Sequence, residues 1–182
     1  MSQLVGGYYT LRNKALKGGG FNPHTEALNR PAGPLALEGI NWVQKTRWSI
    51  NRKVLDVAQR VREMGIEVAG IPPAYDLPLP PRLPDSVWET MDREDRRKYI
   101  SDLEEIRSKN AGLAGNREQI YRRLDLAREL ADQPVLWFPH FFDFRGRVYP
   151  IPQDLNPQGD SLAKGLLTFA ERSPLGPEGF RW

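Results

Sequence analysis

The first regular pattern in the chain is an amphipathic period that begins at about Leu37. Apolar residues then recur at spacings of three and four, which places them on one face of a helix. They are Ile40, Val43, Ile50, Val54, Val57, Val61 and Met64, with Arg47 in the one gap. Gly65 follows the last of them, and glycine commonly ends a helix. The pattern therefore predicts one long helix from about Leu37 to Gly65.

A proline-rich connector separates this helix from the next helical segment. Residues 70 to 84, "GIPPAYDLPLPPRLP", contain six prolines. Proline removes a backbone donor and is excluded from helix interiors, so the segment is predicted to be extended.

Two further helices are predicted after the connector. Asp92 has the position of an N-cap, with Asp95 three residues later as in a capping box. The apolar stripe of this helix is Tyr99, Leu103 and Ile106. A break is expected around "AGLAGN" (111–116), and a second helix with Ile120, Leu124, Ala127 and Ala131 should end before Pro134. The middle of the chain is thus predicted to be a helical arm with a proline-rich elbow.

One side of the first predicted helix is rich in positive charge. Its cations are Lys45, Arg52, Lys53 and Arg60. Such a row could follow a phosphate backbone. Asp56 and Glu63 lie on the same side and dilute the charge, so an ordinary solvated helix face is the other interpretation.

The composition changes after Pro134. The segment "VLWFPHFFDFRGRVYPIP" is rich in aromatic and β-branched residues, which predicts strand. In an extended strand alternate residues share a face. One face would then hold Phe142, Phe144 and Val148, and the opposite face Asp143, Arg145, Arg147 and Tyr149. The segment therefore separates an apolar side from a polar side with two guanidinium groups and a phenol.

The two arginines of this segment suit a nucleic-acid partner. If the strand is extended, Arg145 and Arg147 stand ~6.6 Å apart, roughly the spacing of successive phosphates on one strand. Each guanidinium can hold a phosphate through two parallel hydrogen bonds, with Asp143 orienting one arginine and Gly146 leaving room for close approach. The alternative is that the R-G-R stretch is the turn of an exposed hairpin with incidental arginines.

Composition limits the classes of function. The 182 residues suffice for one compact domain or two small ones, and 40% hydrophobic with 27% charged residues is typical of neither disordered nor membrane proteins. No apolar run approaches the ~18 residues of a membrane span. There is no cysteine, which excludes disulfides and thiolate metal sites, and the net charge of +3 permits a nucleic-acid partner without requiring one.

Other candidate chemistry is weak. His24 and His140 each stand alone in the sequence, which favours surface or packing roles over metal binding. "GGG" at 18–20 lacks the remainder of a phosphate-binding loop. The acidic residues are scattered over helical surfaces and form no recognisable metal pair.

The motifs resemble the single-subunit DNA-dependent RNA polymerases of phages and mitochondria. "WFPHFFDFRGRVYP", followed by "NPQGDSLAKGLLTFAERSPLG", is similar to the D-x-x-G-R segment of that family. The upstream "GGYYTLRN", the segment "GINWVQKTRWSINRKVLDV" and the final "PLGPEGFRW" occur in family order at compatible spacing. The resemblance covers nearly the whole chain.

The resemblance implies a fold class and a domain order. We expect a mainly α chain with a small β element, in which a helical thumb-like arm is followed by the first strands of a polymerase palm, as a fragment of a right-hand polymerase. Residues 1–36 resemble the end of the N-terminal domain, 37–132 the thumb, and 133–182 the start of the palm with the D-x-x-G-R segment.

The resemblance also implies the site residues. In the family this segment contacts the template strand and the RNA–DNA hybrid. The positions here that would take that role are Asp143, Arg145, Arg147 and Tyr149, with Lys164 of "AKGLL" a weaker candidate. Asn156 and Gln158 of "NPQG" are expected to fix a turn rather than to touch nucleic acid. The lightly charged "SKNAGLAGNREQ" departs from strongly basic thumbs of phage relatives, which puts thumb contacts in doubt.

Family chemistry is nucleotidyl transfer assisted by two Mg²⁺ ions, which paired carboxylates hold. In the family those aspartates, and the groups that bind the incoming nucleotide, come from segments after the D-x-x-G-R region. We therefore expect Mg²⁺ to be bound by residues outside this chain, no catalytic residue or metal site within it, and no activity of the chain alone.

Three functional hypotheses follow. The first is a piece of a DNA-directed RNA polymerase, either truncated or one part of a split enzyme, with template DNA, the RNA–DNA hybrid and the remainder of the polymerase as partners. The second is a non-catalytic nucleic-acid-binding module, and the third is a protein-interaction fragment. Short loops favour a phage relative, and so the cytoplasm of an infected bacterium rather than the mitochondrial matrix.

Overall fold

The computed structural model describes residues 16–17, 33–143, 145–174, 176 and 179. The chain divides into two compact units, the first made of Met1–Leu55 with Asp125–Trp182, the second of Asp56–Leu124. The helices are α1 (Pro34–Lys45), α2 (Arg52–Met64), α3 (Asp85–Thr90), α4 (Arg93–Glu129) and α5 (Ser161–Gly165). The strands are β1 (Leu16–Lys17), β2 (Trp48–Ile50), β3 (His140–Asp143), β4 (Val148–Pro150) and β5 (Leu167–Phe169). A mainly helical chain with a small β element is confirmed.

The strands form two small sheets in the first unit. In one sheet β3 lies between β1, to which it is parallel, and β4, to which it is antiparallel. The other sheet pairs β2 with β5 in antiparallel orientation, with Trp48 opposite Phe169 and Ile50 opposite Leu167. No helix in the described ranges is long and apolar enough to cross a membrane.

The apolar face of α1 packs against β3. Leu37 and Ile40 form a buried cluster with Phe142, and Val148 of β4 packs against them. The two helical residues are three positions apart and so lie on the same side of α1. This contact anchors the β3–β4 hairpin on its apolar side.

The single long helix predicted from Leu37 to Gly65 is wrong. The chain leaves the helix after Lys45, runs as β2, and re-enters a helix at Arg52. The backbone of β2 is satisfied across the sheet instead of along a helix, and the Asn51 N–H donates to the carbonyl of Leu166 at 2.8 Å. Long-range pairing has overridden the local period, although Gly65, at φ 69°, ends α2 as predicted.

This break also removes the shared cationic face. Lys45 and Arg52 stand at the ends of two different helices. Arg52 forms an ion pair with Asp132 at 2.7 Å and donates to the Ala131 carbonyl at 2.9 Å. The interpretation of that row as one phosphate-tracking surface is therefore wrong.

The break predicted at 111–116 is also absent, because α4 is continuous over 37 residues. Each helical glycine costs about 1 kcal/mol relative to alanine, and the good helix formers around Gly112 and Gly115 carry the helix through both. The start and end agree with prediction. The Asp92 carboxylate accepts from the Asp95 N–H at 2.8 Å as an N-cap, and the helix ends before Pro134.

The proline-rich connector is extended, as predicted, and side chains of α4 hold it within the second unit. Asn110 accepts from the Leu77 N–H at 2.8 Å and donates to its carbonyl at 3.0 Å. The Tyr99 hydroxyl donates to the Pro81 carbonyl at 3.0 Å. Arg117 donates to the carbonyl of Pro73 and forms an ion pair with Asp76. These bonds replace the partners that a proline-rich backbone cannot find in a helix or sheet.

Candidate nucleic-acid interface

The D-F-R-G-R stretch is the loop of the β3–β4 hairpin. The Asp143 N–H donates to the Arg147 carbonyl and the Gly146 N–H donates to the Asp143 carbonyl, both at 3.0 Å. Gly146 has φ 79°, the left-handed conformation usual for glycine at the end of a three-residue hairpin loop. Of the two alternatives left open by the sequence, the turn is therefore the correct one. The ~6.6 Å spacing of two arginines along one strand does not apply.

The separation of the two strand faces nevertheless holds on either side of the loop. Phe142 pairs with Val148 across the hairpin, and Phe142 is only 8% exposed. Phe141 pairs with Tyr149 on the other face, where the two rings lie 5.7 Å apart. The apolar role of Phe142 and Val148 is confirmed, while Phe144 lies outside the described residues.

The Asp143 carboxylate is the centre of the loop. Its Oδ1 accepts from the backbone N–H of Arg145 at 2.9 Å and of Arg147 at 3.1 Å. Its Oδ2 accepts from Nε and Nη2 of Arg145 at 3.0 and 2.9 Å. Aspartate is common at turns because its side chain can bond backbone N–H groups further along the chain, here two and four residues ahead. Asp143 thus orients Arg145 and at the same time closes the turn.

These contacts change the acidity of both partners. Burial by itself raises the pKa of Asp143, but the bonds from the Arg147 backbone and from Arg145 outweigh it, so this pKa lies below its ordinary value. The hydrogen bond and the charge of Asp143 raise the pKa of Arg145, burial opposes this, and Tyr149 adds to the rise. The pair is therefore fully charged at neutral pH.

The remaining predicted site residues are placed as follows. The Arg145 side chain is 53% exposed in spite of its ion pair. Arg147 and Lys164 are exposed, and Tyr149 is half-buried. Arg147 and Tyr149 belong to the hairpin, whereas Lys164 lies on α5. The hairpin thus brings together Asp143, Arg145, Arg147 and Tyr149 within seven residues of chain.

The "NPQG" turn supports the hairpin from the side of β4. The buried Asn156 amide donates to the carbonyls of Pro152 and Gln153, at 3.0 and 3.2 Å, and its Oδ1 accepts from the Gln158 N–H at 2.9 Å. Gln158 in turn donates from Nε2 to the Val148 carbonyl at 3.0 Å. The turn-forming role predicted for both residues is confirmed.

His140 is a packing residue, as predicted. It is 2% exposed and its Nδ1 lies 2.7 Å from the Phe138 carbonyl oxygen. Its backbone N–H donates to Oε1 of the buried Gln44 at 2.9 Å, which ties α1 to β3. Burial lowers the pKa of His140, with the bond to Phe138 opposing the shift. His24 lies outside the described residues.

Sequence reasoning missed two residues that shape the site. Phe141 stands beside Tyr149 on the polar side of the hairpin; its place two residues before Asp143 could have shown that both share a face. Gln44 lies on the buried side of α1, and a lone polar residue in an apolar helix stripe was the available signal. Among the described residues, no cluster of three or more histidines and acids is placed to hold a metal ion.

Comparison with known proteins gives the relatives of this chain. No family model matches it. It is 34% identical over 97% of its length to the mitochondrial DNA-directed RNA polymerase 1B of Nicotiana tabacum and to the chloroplastic/mitochondrial DNA-directed RNA polymerase 2 of Arabidopsis thaliana. It is 38% identical over 80% of its length to the mitochondrial DNA-directed RNA polymerase of Neurospora crassa. The chain spans 10 to 18% of the length of these three relatives.

The chain is therefore homologous to one segment of the single-subunit, phage-type DNA-directed RNA polymerases, and the resemblance carried by its motifs is confirmed. The expected source is corrected by the same finding. A phage-infected bacterial cytoplasm was predicted from short loops, but these relatives are mitochondrial or chloroplastic enzymes. The prediction was wrong because loop length in one segment of a chain does not specify the compartment.

Proposed function

We propose that this chain is a segment of a DNA-directed RNA polymerase and serves template-directed RNA synthesis. The observation that carries the proposal is the similarity to polymerases over 97% of the chain. The corresponding segment of those enzymes makes up less than a fifth of their length. The remainder of the polymerase is then the chain's main protein partner, and its proposed localisation is an organelle.

The proposed role of this segment is to contact the template strand and the RNA–DNA hybrid through the hairpin loop. Two guanidinium groups stand at the loop, and Tyr149 and Phe141 form an aromatic surface beside them. Arginines grip phosphates, and aromatic rings offer surfaces on which sugars or bases can pack. Lys164 would add a weaker contact from α5.

We also propose the domain placement implied by the resemblance. Residues 37–132 would form the thumb of a right-hand polymerase and 133–182 the start of its palm, preceded by the end of the N-terminal domain in 1–36. The long polar helix α4 and the compact second unit, Asp56–Leu124, lie within the proposed thumb. The hairpin lies within the proposed palm.

Nucleotidyl transfer itself is assigned to other parts of the polymerase. Asp143, the acid nearest to the proposed contact surface, already accepts four N–H bonds from Arg145 and Arg147. Mg²⁺ takes oxygen ligands with free lone pairs in near-octahedral geometry, and this carboxylate does not fit that requirement.

Binding of an RNA–DNA hybrid tests the proposed role. We expect the purified chain to bind a labelled hybrid in fluorescence anisotropy and the double variant Arg145→Ala/Arg147→Ala to bind at least tenfold more weakly at ~0.1 M salt, with a shallower dependence on salt. A matched control is Arg97→Ala/Lys98→Ala, which removes two exposed charges from α4. Equal losses in both variants would show diffuse attraction to positive charge and would reject the hairpin as the contact site.

A further inference from the structure

We infer that the two arginines of the hairpin have different tasks: Arg147 binds a phosphate of the nucleic acid, and Arg145 positions the loop. This inference rests on the proposed function and specifies which side chain makes the contact to phosphate. The D-x-x-G-R pattern places Arg147 at its arginine and Arg145 at a variable position, but it does not show what either guanidinium bonds. Their bonding in the structure is not equivalent.

The first step is the bonding of Arg145. Its Nε and Nη2 both meet Oδ2 of Asp143, at 3.0 and 2.9 Å, and its backbone N–H meets Oδ1. The Asp143 side chain is only 13% exposed, so water competes poorly for the carboxylate. An incoming phosphate would have to displace a carboxylate that is covalently fixed two residues away. Arg145 is therefore engaged before any nucleic acid arrives.

The second step concerns the backbone of the loop. Successive N–H groups in a loop can form an anion site. Here the N–H groups of Arg145 and Arg147 donate to Oδ1 of Asp143, and that of Gly146 donates to the Asp143 carbonyl. All three donors are used by the same residue. Among the described residues of the loop, phosphate binding is thus left to side chains.

The third step is the state of Arg147. Its backbone is fixed at both polar atoms, because its N–H and its carbonyl are bonded to Asp143. Its side chain is exposed, and within the described part of the chain no ion pair or hydrogen bond occupies its guanidinium. A charged group on a fixed backbone has little orientational freedom to lose on binding. Arg147 is the group of the loop that is prepared to bind a phosphate.

The two roles can be separated by comparing a double variant that leaves the net charge of the chain unchanged with a single variant that lowers it by one. Asp143→Asn with Arg145→Gln replaces the pair by two neutral amides that can still bond the loop, whereas Arg147→Gln removes one charge. With a labelled RNA–DNA hybrid we expect Arg147→Gln to weaken binding about tenfold and to reduce the salt slope by about 1. The double variant should stay within about threefold of wild type with an unchanged slope, since wild-type Asp143 and Arg145 neutralise each other.

The outcomes distinguish the inference from the proposed function. If the double variant loses as much salt slope as Arg147→Gln, Arg145 is itself a phosphate ligand, and the inference is wrong while the hairpin remains the contact site. If wild type binds and neither variant changes the binding, the hairpin does not contact the hybrid, and the proposed role fails together with the inference. A folded wild-type chain without affinity for the hybrid also rejects both.

A second measurement needs no variant. Phenylglyoxal modifies arginine side chains, and mass spectrometry of peptides reports the extent at each residue. We expect Arg147 to react several times faster than Arg145 in the free chain, because Asp143 holds the Arg145 guanidinium. Addition of the hybrid should protect Arg147 more strongly than Arg145. Equal rates and equal protection would overturn the division of tasks.

Discussion

At the residue scale, one aspartate decides the form of the candidate site. Asp143 caps its own loop, fixes Arg145, and leaves Arg147 exposed. The motif letters D, G and R are thus explained by one local structure: an acceptor for the turn, a residue able to adopt positive φ, and a cation. The sequence predicted which residues form the candidate site, but not that Asp143 would bond the guanidinium of Arg145 and leave that of Arg147 exposed.

Gly146 provides a test at this scale. We expect Gly146→Ala to lower the free energy of unfolding by about 1–2 kcal/mol, because φ is 79° and an alanine is strained there. No atom lies within 4 Å of the position a Cβ would take, so steric contact adds nothing. The matched change Gly115→Ala, in equally open space on α4, should raise the same free energy by about 0.5–1 kcal/mol. Urea unfolding of both variants measures the difference, and a stabilising Gly146→Ala would contradict the turn.

His140 predicts a dependence of stability on pH. Burial lowers its pKa in the folded chain, so below the unfolded value of about 6.5 the unfolded chain binds the proton more readily. The contribution is complete above that pH and falls as pH drops toward the folded pKa. We expect the free energy of unfolding to be lower at pH 5.5 than at pH 7.5, and His140→Gln to reduce this difference. Identical pH dependence in the two proteins would show that His140 does not cause it.

At the element scale, local signals predicted helix ends better than helix continuity. Asp92 and Gly65 act at the ends of α4 and α2 as their types require, because caps and positive φ are local properties. The break into α1, β2 and α2 was missed because β2 takes its partners from β5, more than a hundred residues later. A helical period is detected over a short window of neighbouring residues, and such a window does not include both paired strands.

The bonds from α4 to the proline-rich connector are expected to contribute to the stability of the chain. Asn110→Ala removes both bonds to Leu77 and should lower the free energy of unfolding by about 1–2 kcal/mol, since two hydrogen bonds of about 0.5–1.5 kcal/mol are lost on a partly exposed surface. Trypsin should also cut faster after the exposed Arg82. The neighbouring Lys109→Ala, which loses only an exposed pair with Glu105, should change neither quantity by more than about 0.5 kcal/mol or twofold. Similar effects of the two variants would show that the connector is not held through Asn110.

At the scale of the whole molecule, the chain is homologous to one part of a much longer enzyme. Its similarity to organellar polymerases extends over nearly all of its residues, but it spans only 10 to 18% of the three compared enzymes. Contacts to nucleic acid and the nucleotidyl transfer reaction are assigned to different parts of such an enzyme by the proposed function. The proposed function assigns only the first to this chain.

At this scale we predict that the chain alone binds an RNA–DNA hybrid but does not synthesise RNA. With Mg²⁺, nucleoside triphosphates and a primed hybrid, we expect the purified chain to bind the hybrid and to extend no RNA. A complete organellar polymerase is the positive control under the same conditions, with extended product resolved by gel electrophoresis. RNA synthesis by the chain alone, lost on removal of Mg²⁺, would show that it holds a catalytic centre and would overturn the assignment.

The sequence by itself determined the family, the residues proposed for the candidate site and the helix ends at Gly65 and Asp92, because motif order, residue type and caps are local properties of the chain. Only the tertiary structure decided that Trp48–Ile50 is a strand and that the R-G-R stretch is a loop centred on Asp143. Both outcomes depend on partners brought together by folding: β5 for the strand, and the anchoring of Phe142 on α1 for the hairpin. The different surroundings of Arg145 and Arg147 follow from that folded loop, where one carboxylate can bind one guanidinium and leave the other exposed to solvent.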